Sequence, residues 1–76
     1  MNPSSDIREH MEVVGSDGKH VGTVDHLEGG RVKLTKSDPN AGGKHHYLST
    51  DQVDRVEEGR VCLNLPCDKA MQTWQS

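Results

Sequence analysis

The chain has 76 residues and a hydrophobic fraction of 30%, with one Trp, one Tyr and no Phe, so we expect one small domain with a thin aliphatic core. A formal net charge of −3 argues against a general phosphate-binding surface and leaves only a local basic patch for such a role. The sequence contains no apolar run of membrane-spanning length and no signal peptide, so we expect a cytoplasmic protein.

Residues 1–10 have the composition of a flexible leader. Pro3, two Ser and mixed charges offer little surface to bury, and Ile7 and Met11 are the only apolar anchors nearby. We therefore expect the folded domain to occupy residues 11–76.

The segment after the leader has the alternation and the turns of a β protein. "MEVV" predicts a first strand and "GSDGK" a tight turn, because Gly and Asp tolerate the positive φ of hairpin loops. "HVGTVDHLEG" predicts a second strand, in which Val21, Val24 and Leu27 are spaced by three. A β-bulge near Gly22 or Thr23 would bring these side chains onto one face.

Four more strands follow with short connections. "RVKLTK" alternates so that Val32 and Leu34 face the core, and "KSDPNAGGK" is a loop. "HHYLS" predicts the fourth strand, "STDQV" a single turn opened by Ser49 or Thr50, "VDRVEE" the fifth strand and "RVCLNL" the sixth. We predict a mainly β fold, either a small six-stranded barrel or a rolled antiparallel sheet.

The last segment changes to helical spacing. After Pro66, "CDKAMQTWQ" places Cys67, Ala70, Met71 and Trp74 on one stripe of a short C-terminal helix. Met71 and Trp74 are expected to close one end of the sheet. Apolar surface that the thin core leaves uncovered would favour self-association through Met71 and Trp74, which predicts a homodimer.

Two motifs and one residue of the final helix stand out together. They are Val14, Asp17, Gly18, Val21, Gly22 and Val24 in the opening hairpin, Leu48, Ser49 and Val53 later, and Trp74 in the final helix. With these residues the chain resembles the PRC-barrel superfamily, and in particular its short uncharacterised bacterial members. The resemblance covers roughly residues 11–75, and Ser49 stands where the larger family often has Pro.

The resemblance implies a six-stranded barrel-like module without catalytic residues. Relatives in that superfamily include a ribosome maturation factor and the cytoplasmic part of the H subunit of the photosynthetic reaction centre. Both use the module to bind or organise other macromolecules. The resemblance therefore implies an interaction function.

The adjacent residues His45 and His46 raise the question of a metal site. Successive residues of a strand point to opposite faces, so both imidazoles cannot bind one ion in a regular strand. A site would need His20, His26 or an acid from elsewhere, and the sequence has no HxH, HExxH or Cys/His metal spacing. We expect no metal and no cofactor.

Acidic residues cluster late in the chain, but a catalytic acid–base pair needs a pocket that a small filled barrel lacks. We interpret these acids as turn and edge residues, and we expect Asp25 to contact a His at the surface. The acids concerned are Asp51, Asp54, Glu57 and Glu58.

Candidate nucleophiles have no recognisable base beside them. Cys62 and Cys67 are five positions apart and form no CxxC motif, so we interpret them as ordinary thiols. Ser37 and Ser49 also lack a partner. We therefore expect no enzymatic activity.

One basic stripe stands out as a candidate binding face. Arg31, Lys33 and Thr35 share the outer face of the third strand, and Lys36 and Lys44 flank the next loop. No aromatic residue is expected among them, so base stacking has no support. We predict a non-enzymatic module that binds another protein or itself; the alternative is an RNA or ribosome-assembly accessory that uses Arg31 and Lys33, and DNA is not expected.

Overall fold

The computed structural model describes residues 7–75, apart from the side chain of Asn40, and contains six strands and one α-helix. The strands are β1 (Glu12–Val14), β2 (His20–Glu28), β3 (Arg31–Leu34), β4 (His46–Ser49), β5 (Val53–Glu57) and β6 (Arg60–Leu63). Helix α1 spans Cys67–Thr73, and short 3-10 helices occupy Pro39–Ala41 and Thr50–Gln52.

The strands form one mixed sheet in the order β4-β3-β2-β1-β6-β5. Every neighbouring pair is antiparallel except β1–β6, which is parallel. The mainly β fold with a rolled sheet and a short C-terminal helix is confirmed, and the sheet does not close into a barrel. The prediction of an entirely antiparallel sheet is wrong, because hairpin signals specify only strands that follow one another in the chain.

The core consists of aliphatic side chains from alternate strand positions. Val13, Val21 and Val61 are completely buried, and Val32 and Leu34 each keep only 1% of their surface exposed. The alternation predicted for β3 is therefore confirmed. Its outward residues, Arg31, Lys33 and Thr35, are left on the other face of the sheet.

Two register shifts bend β2, in place of the single bulge predicted at residues 22–23. Val21 is the extra residue opposite β1, and Asp25 is the extra residue opposite β3. The second shift brings Leu27 onto the core side with Val24, so both side chains pack against the same cluster. The spacing of Val21, Val24 and Leu27 predicted that β2 contains a bulge, but it did not predict where the bulge lies.

Helix α1 is seven residues long and ends before Trp74, which adopts an extended conformation with φ −66° and ψ 153°. The prediction that the helix extends through Trp74 is therefore wrong. Ala70 is fully buried, Cys67 and Trp74 pack partly against the core, and Met71 is half-buried. Within residues 7–75, no helix is long and apolar enough to span a membrane.

The residues after α1 cover the outer edge of β4. The Trp74 ring stacks on the His46 imidazole with the ring centroids 4.0 Å apart and the planes 6° from parallel. Tyr47 and Gln75 exchange two backbone hydrogen bonds of 2.6 and 2.9 Å. This short antiparallel bridge explains why the chain leaves the helix after Thr73.

The flexible leader predicted for residues 1–10 falls partly on residues 1–6, which lie outside the described residues. Ile7 is buried with the core residues, and the His10 N–H donates to the Val24 carbonyl at 2.8 Å. Ile7 is therefore part of the packed domain.

Candidate interaction face

The β3–β4 hairpin displays a basic and aromatic outer surface. The register places Arg31 opposite Ser49 and Lys33 opposite Tyr47, and residues directly opposite one another in antiparallel strands project to the same face. Val32 and Leu34 hold the other side of β3 in the core. We call Arg31, Lys33 and Tyr47 the hairpin face.

Tyr47 is the member of this face that the sequence analysis missed. The Arg31 Cζ atom lies over the Tyr47 ring, 4.9 Å from its centroid, which is a cation–π geometry. The expectation that no aromatic residue lies among the basic side chains is therefore wrong. The signal was available, because pairing "RVKL" with "HYLS" in antiparallel register brings Tyr47 beside Lys33.

The other two predicted basic residues lie at the far end of the hairpin. Lys36 and Lys44 are exposed and lie beyond the Leu34–His46 pair, at the opposite end of the two strands from Arg31. The sequence-predicted stripe is thus two groups and not one continuous patch. Within residues 7–75, none of these four cations forms an ion pair.

An open groove of about 490 Å³ lies beside the hairpin face. It runs between β4, the second 3-10 helix and the end of α1, so it offers both apolar and hydrogen-bonding contacts next to a cation. Its lining residues are Arg31, Tyr47, Leu48, Ser49, Gln52, Thr73 and Gln75.

A second groove of about 500 Å³ lies on β5 and β6, but its cations are already neutralised. Arg55 Nε is 2.7 Å from a Glu57 carboxylate oxygen, and an Arg60 guanidinium nitrogen is 3.4 Å from Glu58. At the first groove, by contrast, Arg31 forms no ion pair with any carboxylate of residues 7–75, although Glu28 lies opposite it on β2. The acids predicted to lie at turns and strand edges are all exposed: Asp51, Asp54, Glu57 and Glu58.

A compact array of charged side chains surrounds His20 at the start of β2. His20 Nδ1 is 2.9 Å from a Glu12 carboxylate oxygen, and Nε2 is 2.6 Å from Asp38. The Thr23 hydroxyl donates to the same Asp38 oxygen at 2.9 Å. Because carboxylates occupy both ring nitrogens, His20 has no nitrogen left for a substrate or a metal.

The charges of this array explain the behaviour of His20. Partial burial acts to lower its pKa, but hydrogen bonds and attraction from Glu12 and Asp38 outweigh that effect and raise the pKa above 6.5. The Asp38 side chain is only 3% exposed, so hydrogen bonds such as those from His20 and Thr23 offset the cost of burying it. Sequence reasoning treated Asp38 as a loop residue, and an irregular loop has no periodicity that would reveal its burial.

The two adjacent histidines have separate surroundings. His46 lies within β4, is buried, and its Nε2 is 2.8 Å from the Ala41 carbonyl, to which it donates. His45 precedes the strand and is half-buried, with Nδ1 3.0 Å from the Leu34 carbonyl. Across the described part of the chain, no three His, Cys, Asp or Glu side chains are grouped to hold a metal ion.

Asp25 contacts two histidines, but at distances longer than those of the surface hydrogen bond predicted for it. Its carboxylate lies between two imidazoles, 3.6 Å from His26 Nδ1 and 3.9 Å from His45 Nδ1. Glu28 contacts the other nitrogen of His26 at 3.4 Å. This is a half-exposed charge cluster on the sheet surface.

Both cysteines are free thiols in ordinary structural positions. Cys62 lies in β6, and Cys67 begins α1 and donates from Sγ to the His20 carbonyl at 3.2 Å. Burial, followed by the negative charges of Asp17 and Asp68, raises the pKa of the Cys67 thiol. A raised pKa disfavours the thiolate that nucleophilic chemistry needs.

Residues 7–71 match a bacterial family described as "Uncharacterized protein conserved in bacteria (DUF2171)". The chain belongs to this family. The match includes all six strands and α1 as far as Met71. No curated protein and no solved structure matches the chain. The predicted relation to short uncharacterised bacterial proteins is confirmed.

Proposed function

We propose that this chain is a non-enzymatic interaction module that binds an acidic segment of another protein through the hairpin face. The observation that supports it is the Arg31 guanidinium over the Tyr47 ring beside an open groove. Glu28 is the cross-strand neighbour of Arg31, but within residues 7–75 no carboxylate forms an ion pair with Arg31. Arg and Tyr are the side chains that most often contribute strongly to protein interfaces.

The local geometry favours binding because the contact groups are already arranged. Stacking on Tyr47 restricts the Arg31 side chain, which reduces the entropy lost when a partner immobilises it. Lys33 lies across the strand from Tyr47 and adds a second positive charge. An acidic residue of the partner would bind these cations while its neighbours fill the groove.

The charge distribution favours a protein partner over RNA. A chain with net charge −3 repels a phosphate polymer at long range, whereas a short acidic segment needs only the local positive patch. Tyr47 provides one stacking surface, and single-strand binding usually uses several. RNA is the second candidate. Tyr47 beside Arg31 is an aromatic side chain on which a base could stack, and the sequence analysis expected none there.

The absence of enzymatic activity is part of the proposal. The His20 array uses both ring nitrogens internally, and the pKa of the Cys67 thiol is raised, so neither His20 nor Cys67 offers a free base or nucleophile. We also propose that the rolled sheet belongs to the PRC-barrel superfamily, whose modules organise other macromolecules. The cytoplasmic location stays a prediction.

A charge-reversal experiment tests the hairpin face. Wild-type protein, R31E/K33E and a matched control, K19E/K69E, would each be used to capture proteins from a bacterial lysate, with and without ribonuclease. Lys19 and Lys69 are exposed on other elements, so the control has the same net charge. Like charges brought together across an interface cost several kcal/mol, so we expect capture by R31E/K33E to fall about tenfold or more.

The pattern of retained material decides between the candidates. A protein retained by the wild type and by K19E/K69E, lost with R31E/K33E and resistant to ribonuclease is the expected result. Loss on ribonuclease treatment would support the RNA alternative. Equal retention by all three proteins would contradict the assignment of the hairpin face.

A further inference from the structure

The two ends of the sheet differ in how their outer edges are covered. The edge of β4 is bridged by Gln75, which bonds to both backbone groups of Tyr47. At the other end, β5 pairs only with β6, and no backbone group within residues 7–75 bonds to its outer edge. An open strand edge is a template for pairing with another strand.

The β5–β6 turn determines which backbone groups face this open edge. Glu58 and Gly59 form a two-residue turn with φ values of 54° and 74°, so the flanking Glu57–Arg60 pair is the hydrogen-bonded one. The next pair, Val56–Val61, is then non-hydrogen-bonded. The N–H and C=O of Val56 therefore point away from β6 toward the open edge.

The side chains on either side of Val56 are oppositely charged. Arg55 and Glu57 are exposed, and Arg55 Nε lies 2.7 Å from Glu57. We propose that β5 pairs antiparallel with β5 of a second copy about a two-fold axis at Val56. In this register Arg55 of each copy lies opposite Glu57 of the other, and the two Val56 residues exchange backbone hydrogen bonds.

The charges select this register over its neighbours. Other registers can also keep the N–H and C=O of Val56 directed at the second copy. The nearest of them place the two-fold axis one residue away, at Arg55 or at Glu57. The first of these places Arg55 opposite itself and the second places Glu57 opposite itself, and like charges directly opposite one another are destabilising. Asp54 and Glu58 would also meet in the proposed register, but Glu58 lies in the turn beyond the end of β5 and Asp54 is the bulged residue of β5, so this pair lies outside the regular segment Arg55–Glu57.

The side chain of Val56 gives an apolar contribution to the same contact. It is half-buried and packs against the rim of the core. A two-fold axis at Val56 brings the two valines together on the core side and covers their exposed surface. The edge thus combines backbone pairing, two reciprocal charge pairs and an apolar contact, and it is independent of the hairpin face at the opposite end of the sheet.

Charge-reversal variants test the pairing directly. Sedimentation equilibrium would be measured for wild type, R55E, E57R and an equimolar mixture of R55E with E57R. We expect the wild type to show twice the mass of one chain at high concentration, and each single variant to remain at the mass of one chain. The mixture should recover the dimer, because both charge pairs are then restored: the two substituted side chains face each other with opposite charges, and the unchanged Glu57 of R55E faces the unchanged Arg55 of E57R.

The controls separate this edge from the surface predicted from the sequence. Circular dichroism should show the wild-type fold in R55E and E57R, since Arg55 and Glu57 are exposed, and it also checks that M71E, at a half-buried position, is folded. K69E and M71E should dimerise like the wild type. A monomeric wild type, single variants that still dimerise, a mixture that stays monomeric, or a dimer lost only with M71E would each overturn the proposal.

Discussion

His20 is the residue at which charge and fold are most directly coupled. Its ring links Glu12 on β1 to Asp38 in the loop after β3, and Thr23 on β2 binds the same buried carboxylate. Asp38 lies 18 positions after His20 and 15 after Thr23 in the sequence. The array therefore fastens the β3–β4 loop to the first hairpin.

The pH dependence of stability should report this array. Because the folded-state pKa of His20 is raised, its contribution is fully present below the ordinary value of 6.5 and is lost as the pH rises through the folded-state pKa. H20Q should therefore lower the free energy of unfolding more at about pH 5.5 than at about pH 9. Denaturant titrations at the two pH values measure the difference.

A companion variant checks which carboxylate matters more. Asp38 is 3% exposed and Glu12 is 43% exposed, so D38N should destabilise the fold by about 1–3 kcal/mol and E12Q by less. An equal effect of H20Q at both pH values, or a larger effect of E12Q, would contradict this account of the array.

For single residues, the sequence predicts the direction of a side chain better than it predicts the groups that the side chain contacts. The alternation predicted for β3 is found, because direction along a strand follows from local geometry, whereas His45 lies before β4 and not within it as predicted. Asp38 could not be predicted as a buried carboxylate, because its partners His20 and Thr23 lie on β2 and only the conformation of the loop brings Asp38 to them. The hairpin-face residue Tyr47 was predictable only after strand register was considered.

In the β5–β6 turn, the residue type at position 58 does not suit the backbone conformation there. Glu58 has φ 54°, a left-handed conformation that β-carbon atoms disfavour and that Asn and Gly tolerate better. The adjacent ion pair between Glu58 and Arg60 has both side chains largely exposed and contributes little. The turn is thus stabilised mainly by Gly59.

Replacing the strained residue should stabilise the protein. E58N creates the Asn-Gly pair that type I′ hairpins prefer, and we expect a gain of about 0.5–1 kcal/mol in the free energy of unfolding. The matched control is E57N, one residue earlier in the strand, where the same substitution relieves no left-handed conformation. Urea unfolding measures both, and no gain for E58N relative to wild type would contradict the argument.

Elements with local signals were predictable, and those with distant contacts were not. The single turn after β4 begins at Ser49, whose Oγ accepts from Asp51 N–H while Gln52 accepts from Ser49 N–H, as its capping residues suggested. The end of α1 was misplaced, because Trp74 leaves the helix to stack on His46. That contact depends on β4, which no helical pattern encodes.

At the scale of the whole molecule, the sheet leaves two surfaces with different chemistry. One end carries the hairpin face, whose cations have no carboxylate partner in the described segment. The other end carries an edge strand of paired, alternating charges. The parallel β1–β6 pairing, which the sequence did not predict, is what places these surfaces at opposite ends of one sheet.

Site-specific photo-crosslinking at position 47 tests the central claim most directly. A photoreactive phenylalanine analogue in place of Tyr47 should form protein adducts in a bacterial lysate, and R31E/K33E should abolish them. The same analogue at exposed Gln72 on α1 is the control and should not form these adducts. If position 47 forms no protein adduct, forms adducts only with RNA, or forms the same adducts when Arg31 and Lys33 are reversed in charge, the hairpin face is not the surface that binds a protein partner.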